Sequence, residues 1–163
     1  MTIATGDRLP EAEFLEIGAD GEPVVVPSAA LFGGRRVVLF AVPGAFTRTC
    51  SAAHLPSFQR TAAAFRAKGI EEIACLAVND PFVMQAWGEA HGVAASGIRM
   101  LSDAGAVFTD AIGMRKEDTP ARGILGRSKR YAMLVEDGVV ARLNLETGGA
   151  CEISAGETLL GQI

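Results

Sequence analysis

The run Val37-Val38-Leu39-Phe40-Ala41-Val42-Pro43-Gly44-Ala45-Phe46-Thr47-Arg48-Thr49-Cys50-Ser51-Ala52-Ala53-His54-Leu55-Pro56 sets the architecture of this 163-residue chain. Arg36 to Val42 is almost continuously apolar, the pattern of a strand buried on both faces inside a parallel sheet. Pro43-Gly44 breaks it. After Cys50, the residues Leu55, Phe58, Ala62 and Phe65 recur at helical spacing, and Gly69 ends the segment. Pro56 either starts the main part of that helix or deletes a bond to the Ala52 carbonyl and kinks it. One cysteine therefore falls in the first turn of a helix, just past the end of a strand. Free backbone N–H groups and the helix dipole favour a thiolate there.

Working outward, Glu13–Ile17 and Pro23–Val26 flank Asp20-Gly21 and read as an N-terminal β-hairpin. Ile70–Val78, containing Cys75, is a second buried strand. Asp80-Pro81 is an N-cap followed by proline, opening a helix that is expected to turn Phe82, Val83, Ala86 and Trp87 inward and to end at Gly92. Ile98–Leu101 is a short strand. Ser102 or Asp103 then caps a helix burying Val107, Phe108, Ala111 and Ile112, and residues 113 to 126 form a loop. Tyr131–Val135 and Val139–Leu145 make a hairpin around Asp137-Gly138. Cys151 lies in a loop opened by Gly148-Gly149, and Ser154–Leu160 is a last helix. This order predicts an α/β chain with a thioredoxin-like fold: a mixed central sheet flanked by helices, with the N-terminal hairpin as an extension. Residues 1–163 read as one domain. In such sheets ligands sit past the carboxyl ends of the strands, where Cys50 is placed.

Composition narrows the function. The chain is 49% hydrophobic and 21% charged, with a net charge of −4, which argues against nucleic acid as a partner. No apolar run would span a bilayer, and no basic-then-apolar leader is visible, so the cytoplasm is the expected compartment. Three cysteines do not make a disulfide framework, and the two histidines lack metal-site spacing; neither a metal nor a cofactor is expected.

Disulfide oxidoreductases of this fold carry Cys-x-x-Cys at the helix start; here the second position is Ala53. A lone thiolate that attacks something other than a protein disulfide is the natural reading. Thiolate population alone accelerates such an attack by only about tenfold, so orientation and charge stabilisation must supply the rest. Thr47, three residues before Cys50, has N-cap spacing and can accept from the Cys50 N–H or donate to whatever meets the sulfur. Pro43 stiffens the loop and shields the sulfur from water. Arg127-Ser128-Lys129-Arg130 is a basic turn in which Arg130 and Arg127 are rival partners for the thiolate. His54, one turn after Cys50, would make a Cys–His pair in a hydrolase, or else pack near the helix break. A third reading is a redox switch without turnover.

Pro43, Thr47 and Cys50 form the P-x-x-x-T-x-x-C motif of the peroxiredoxins. Val42-Pro43-Gly44-Ala45-Phe46-Thr47, Cys50-Ser51, His54-Leu55-Pro56, Ala74–Asp80, Ala86-Trp87-Gly88 and Arg130-Tyr131 before Asp137-Gly138 resemble the peroxiredoxin-5 subfamily, with its plant type II and bacterial members. The resemblance implies a thiol peroxidase for hydrogen peroxide and alkyl hydroperoxides, with Cys50 as the peroxidatic cysteine passing through a sulfenic acid. Thr47 would bond the peroxide and Arg130 would stabilise the thiolate and the developing charge. Cys151 or Cys75 would resolve the sulfenic acid, or an external thiol would: glutathione with glutaredoxin, or thioredoxin. A homodimer packed near the active-site loops, with exposed Phe46 contributing, is also implied. One departure is Arg48, where the family usually has proline; it is expected either to act on Cys50 or to recruit an anionic reductant such as glutathione.

Overall fold

The computed structural model describes residues 1–163. Seven strands form one sheet: β1 (Glu13–Ile17), β2 (Pro23–Pro27), β3 (Arg36–Ala41), β4 (Glu72–Ala77), β5 (Arg99–Ser102), β6 (Tyr131–Glu136) and β7 (Val139–Leu145), in the order β2-β1-β5-β4-β3-β6-β7. β3, β4 and β5 are parallel, while β6 runs antiparallel to β3, and β7 to β6. The hairpin β1–β2 extends the sheet through a single antiparallel pairing, Leu15 with Ser102. This is the thioredoxin-like arrangement, with the predicted hairpin at one edge.

Helices cover both faces: α1 (Ser28–Phe32), α2 (Leu55–Ala67), α3 (Pro81–Ala90), α4 (Val107–Ala111) and α5 (Gly156–Leu160). β3 shows why its sequence is apolar throughout. Val38, Phe40 and Val42 join one core with α2, α3 and α5, while Val37, Leu39 and Ala41 join the other with α1 and α4. The expected face of α2 is the buried one: Phe58 stacks on Phe40 at 4.0 Å between ring centroids and on Phe65 at 5.9 Å. α5 sits so close to α2 that a Cβ at Gly156 would come within 2.7 Å of the Ser57 carbonyl. No helix is long and apolar enough to cross a membrane.

Two helices are rotated from their expected phase. In α3 the buried positions are Pro81, Met84, Trp87 and Gly88, and Phe82 is 54% exposed. Asp80 does cap this helix, accepting from the Phe82 and Val83 N–H groups, but the inward stripe starts from the proline itself. In α4, Ala106 takes a left-handed backbone (φ 55°) before the helix, which turns Val107 out to 66% exposure and leaves Ala106, Phe108 and Ile112 inside. Asp103 caps the turn through the Thr109 N–H at 2.8 Å. The short α1 has no counterpart in the sequence reading; its buried Leu31 and Phe32 follow Pro27 too briefly for a periodicity to register.

Candidate active site

The chain leaves β3 at Ala41 and enters a tight loop. The Ala45 N–H is held by Asn79 Oδ1 at 2.9 Å, and Phe46 takes a left-handed backbone at φ 59°. A Cβ on Gly44 would fall on Arg127 Nη1, so only glycine admits that arginine, which donates to the Pro43 carbonyl at 3.1 Å.

Cys50 begins a π-helical turn, Cys50–His54, that leads into α2. Its closing bond runs from the Leu55 N–H to the Cys50 carbonyl, five residues back. Pro56, in the first turn of α2, has no N–H with which to continue an ordinary ladder, and the chain takes one widened turn just before it. The Thr47 carbonyl accepts from the Ser51 N–H at 3.0 Å, as an N-cap residue does, but its side chain does not cap. The Thr47 hydroxyl donates back to the Gly44 carbonyl at 2.7 Å, which corrects the expectation that it points into the first turn. Its proton is engaged and its oxygen lone pairs remain to accept.

The Cys50 sulfur is fully buried, and Arg130 Nη2 donates to it at 3.4 Å. Arg130 is only 5% exposed, and its other terminal nitrogen, Nη1, lies 3.1 Å from His54 Nδ1. A guanidinium has only donors, so Nδ1 accepts and the proton sits on Nε2, which donates to the Ser154 carbonyl at 3.0 Å. Burial, reinforced by the charge of Arg130, pushes the His54 pKa down to about 3. The ring is neutral, both nitrogens are engaged, and neither reaches Cys50. A Cys–His pair is excluded; His54 holds Arg130 instead.

Ser154 is held in turn by Glu146, just past β7. Glu146 Oε1 accepts from the Ser154 N–H and hydroxyl, both at 2.9 Å, and from the Glu152 N–H at 2.6 Å. Burial disfavours this carboxylate, yet those donors outweigh it and keep its pKa below the usual range. The Glu146 N–H bonds the Arg130 carbonyl at 3.0 Å and closes the network. Glu146 and Ser154 carry no motif spacing, so their part was illegible in the sequence.

Arg127 grips the Pro43 carbonyl and does not touch the sulfur, so the rivalry between the two arginines resolves in favour of Arg130. Arg48 is exposed, and the donor to the sulfur is Arg130. Cys75 is fully buried opposite Phe40 and Met100 in the middle of the sheet, and burial pushes its thiol pKa well up. Cys151 is half-buried; burial raises its pKa too, partly offset by the Ser154 hydroxyl at 3.8 Å. All three cysteines are free thiols.

Two cavities flank Pro43. One of about 500 Å³ is lined by Lys116, Lys129, Arg130, Glu146 and the 147–149 loop. The other, about 310 Å³, is lined by Thr47, Lys116, Arg122, Ile124 and Arg127. The site thus offers a sheltered sulfur, a fixed cation against it and a hydroxyl acceptor, with Arg130 lining one flanking cavity and Thr47 the other while Cys50 itself lines neither.

Known proteins resemble this chain in sequence and fold. Residues 4–160 match the Redoxin family. The chain is 49% identical over 162 residues to Peroxiredoxin-2E-2, chloroplastic, of Oryza sativa subsp. japonica, covering 98% of this chain and 72% of the relative. The crystal structure of reduced Prx3 in complex with H2O2 from Vibrio vulnificus superposes with a TM-score of 0.90 at 45% identity, covering 99% of both chains. That of peroxiredoxin 5 from Alvinella pompejana gives 0.81 at 34% identity, covering 97% of this chain and 96% of that one. With a lone cysteine at the helix start, an arginine fixed against its sulfur and relatives of this kind along nearly its whole length, the chain belongs to the peroxiredoxins, the thiol peroxidases of the Redoxin family.

Proposed function

We propose that Cys50 is the peroxidatic residue of a single functional domain spanning residues 1–163. The observation that carries this is Arg130 Nη2 donating to Cys50 Sγ at 3.4 Å from a guanidinium anchored by a neutral histidine. The thiolate attacks the nearer oxygen of ROOH, the O–O bond breaks, the sulfur is oxidised to the sulfenic acid, and RO⁻ leaves and takes a proton as ROH. The Thr47 oxygen, its own proton held by Gly44, accepts from the peroxide O–H and orients it. Arg130 balances charge first on the thiolate and then on the parting oxygens. Pro43 and the loop behind it keep water from the sulfur. Hydrogen peroxide and alkyl hydroperoxides suit a pocket of this size.

We infer that an external thiol, supplied by glutathione with glutaredoxin or by thioredoxin, returns the sulfenic acid to the thiol. Cys75 shares a fully buried core with Cys50, where packing closes it to a moving sulfenic acid, and the loop bearing Cys151 is tied at residues 152 and 154 to Glu146. Mass spectrometry of peroxide-treated protein tests both steps. Dimedone is expected to tag Cys50 alone, and glutathione to form a mixed disulfide there. A tag on another cysteine would refute the assignment of Cys50, and a Cys50–Cys151 disulfide would refute the external thiol.

A reducing compartment such as the cytoplasm suits three free thiols. We further propose a homodimer. Phe46, 58% exposed at the tip of the active-site loop, is a large apolar side chain that a second copy would cover. Sedimentation velocity at micromolar concentration is expected to give the dimer mass; a monomer throughout would overturn this.

A further inference from the structure

The two cavities beside Pro43 share Lys116 as well as Pro43, and so open around one mouth. Besides Arg130, four cations line them: Lys116, Lys129, Arg122 and Arg127. None of the four takes part in an ion pair. Elsewhere in this acidic chain Arg35, Arg36, Arg60, Arg99 and Arg115 each meet a carboxylate, while Arg8 and Arg66 bond backbone carbonyls and Arg48 and Arg142 stand alone at the surface. Of the four, Arg127 is engaged by the Pro43 carbonyl and Lys129 reaches the Gly113 carbonyl at 3.5 Å, while the Lys116 and Arg122 side chains have no partner. Two carboxylates line the same space, Glu117 and Glu146, and Glu146 already accepts three donors through one oxygen. Arg130, which lines the larger cavity, carries a buried Nε–H with no acceptor. Positive charge gathered in a concave mouth raises the local concentration of anions and speeds their arrival. Cavities of about 500 and 310 Å³ suit a small molecule.

We propose that this mouth binds a small, carboxylate-bearing co-reactant, its negative end between Lys116 and Arg122 and its reactive end at Thr47 and Cys50. This rests on the peroxidase reading above and names the class of molecule that the site favours. The same chemistry has two sources. One is a carboxylated hydroperoxide, which oxidises Cys50 and leaves as the alcohol. The other is a carboxylated thiol, which condenses with the sulfenic acid: an S–S bond forms, the S–O bond breaks and water leaves. A second thiolate then attacks the mixed disulfide, frees Cys50 as the thiol and departs as the small-molecule disulfide.

The test compares charge at fixed chemistry, in wild type and in the double variant Lys116→Gln/Arg122→Gln. One arm uses linoleic acid hydroperoxide and its methyl ester. The other uses 3-mercaptopropionate, 2-mercaptoethanol and cysteamine, with rates referred to thiolate concentration. In at least one arm the anionic reagent is expected to react about five- to tenfold faster than its neutral counterpart. That preference should shrink at 1 M salt, where the screening length falls to about 3 Å, and should vanish in the variant. The arm that shows it identifies the source. Equal rates for anionic and neutral reagents in both arms, or a preference that survives in the variant, overturn the proposal. Hydrogen peroxide, uncharged, should oxidise both proteins alike; a wild type that it does not oxidise would fall on the peroxidase reading alone, and a variant slowed equally toward every reagent would overturn the proposal. Glutarate, which cannot react, reads the anion site without turnover: it should shift NMR resonances of the loop residues in wild type and not in the variant.

Discussion

Arg130→Met is expected to lower the second-order rate constant for hydrogen peroxide by about 10²- to 10³-fold, the range seen when one preorganised donor is taken from a site of developing charge. The guanidinium makes two directed contacts at once, to Cys50 Sγ and to His54 Nδ1, so its position is fixed before the peroxide arrives. Methionine fills the space and keeps neither the charge nor a donor. Arg130→Lys separates those losses. A single ammonium keeps the charge but lacks the planar fork that spans both partners, so an intermediate rate, about tenfold below wild type, is expected. Arg127→Met is the control. Arg127 holds the Pro43 carbonyl and packs over Gly44 without reaching the sulfur, so its loss should loosen the loop and cost much less. Stopped-flow oxidation of the reduced proteins reads all three. Equal losses for Arg127→Met and Arg130→Met would remove Arg130 from its role.

Register explains why the sequence alone left the two arginines as rivals. β6 runs antiparallel to β3 with Ala41 opposite Tyr131, so the residue before Tyr131 lies beside the end of β3, where the Pro43 loop begins. Side chains alternate across β6: Ala132 and Leu134 join the core that contains Cys50, while Tyr131, Met133 and Val135 join the other. Residue 130 shares the parity of Ala132 and faces the sulfur. Nothing local in Arg127-Ser128-Lys129-Arg130 reveals that; it needs the pairing of strands whose partners lie 90 to 100 positions apart in the chain. What depends on neighbours in sequence was legible: the buried strand β3, its break at Pro43, the Asp80 cap and the inward stripe of α2. The phase of α3 was not, because the proline that starts a helix can itself be buried, and neither was that of α4, because the left-handed residue before it is an alanine. The π turn at Cys50 follows from Pro56, yet the sequence permits both a kink and a widened turn, and only packing chooses between them.

His54 is where the chemistry and the stability of the site meet. Folding buries this ring as a neutral acceptor, with a pKa of about 3 against 6.5 when unfolded. The unfolded chain therefore binds the extra proton first. The stability that depends on a neutral His54 is fully present above pH 6.5 and is lost progressively as the pH falls toward 3. From those two values the loss by pH 5 is about 2 kcal/mol, a sizeable share of a typical domain's 5–15. His54→Phe should pack against the Phe40–Phe58 stack, whose rings already meet the imidazole with centroids 5.2 and 5.6 Å away. It leaves the Ser154 carbonyl and one Arg130 donor unpaired, so the variant should start about 1–3 kcal/mol less stable at pH 7.5 for each buried group orphaned. It should then lack the wild-type decline between pH 7.5 and 5. Glu146 titrates in both proteins, lower on the scale and with the same sign, and largely cancels in the comparison. With its anchor gone, Arg130 wanders from the sulfur, and peroxide oxidation should slow by about tenfold. His54→Asn divides the two effects: its amide oxygen stands near the position of Nδ1 and can hold Arg130, restoring most of the rate, but it carries no titratable proton and should show no added decline in acid. Urea melts at several pH values and stopped-flow rates decide the matter. A His54→Phe protein with the wild-type rate and the wild-type pH slope would mean that Arg130 needs no anchor, and that the buried network running from Glu146 through Ser154 to the sulfur plays no part in placing it.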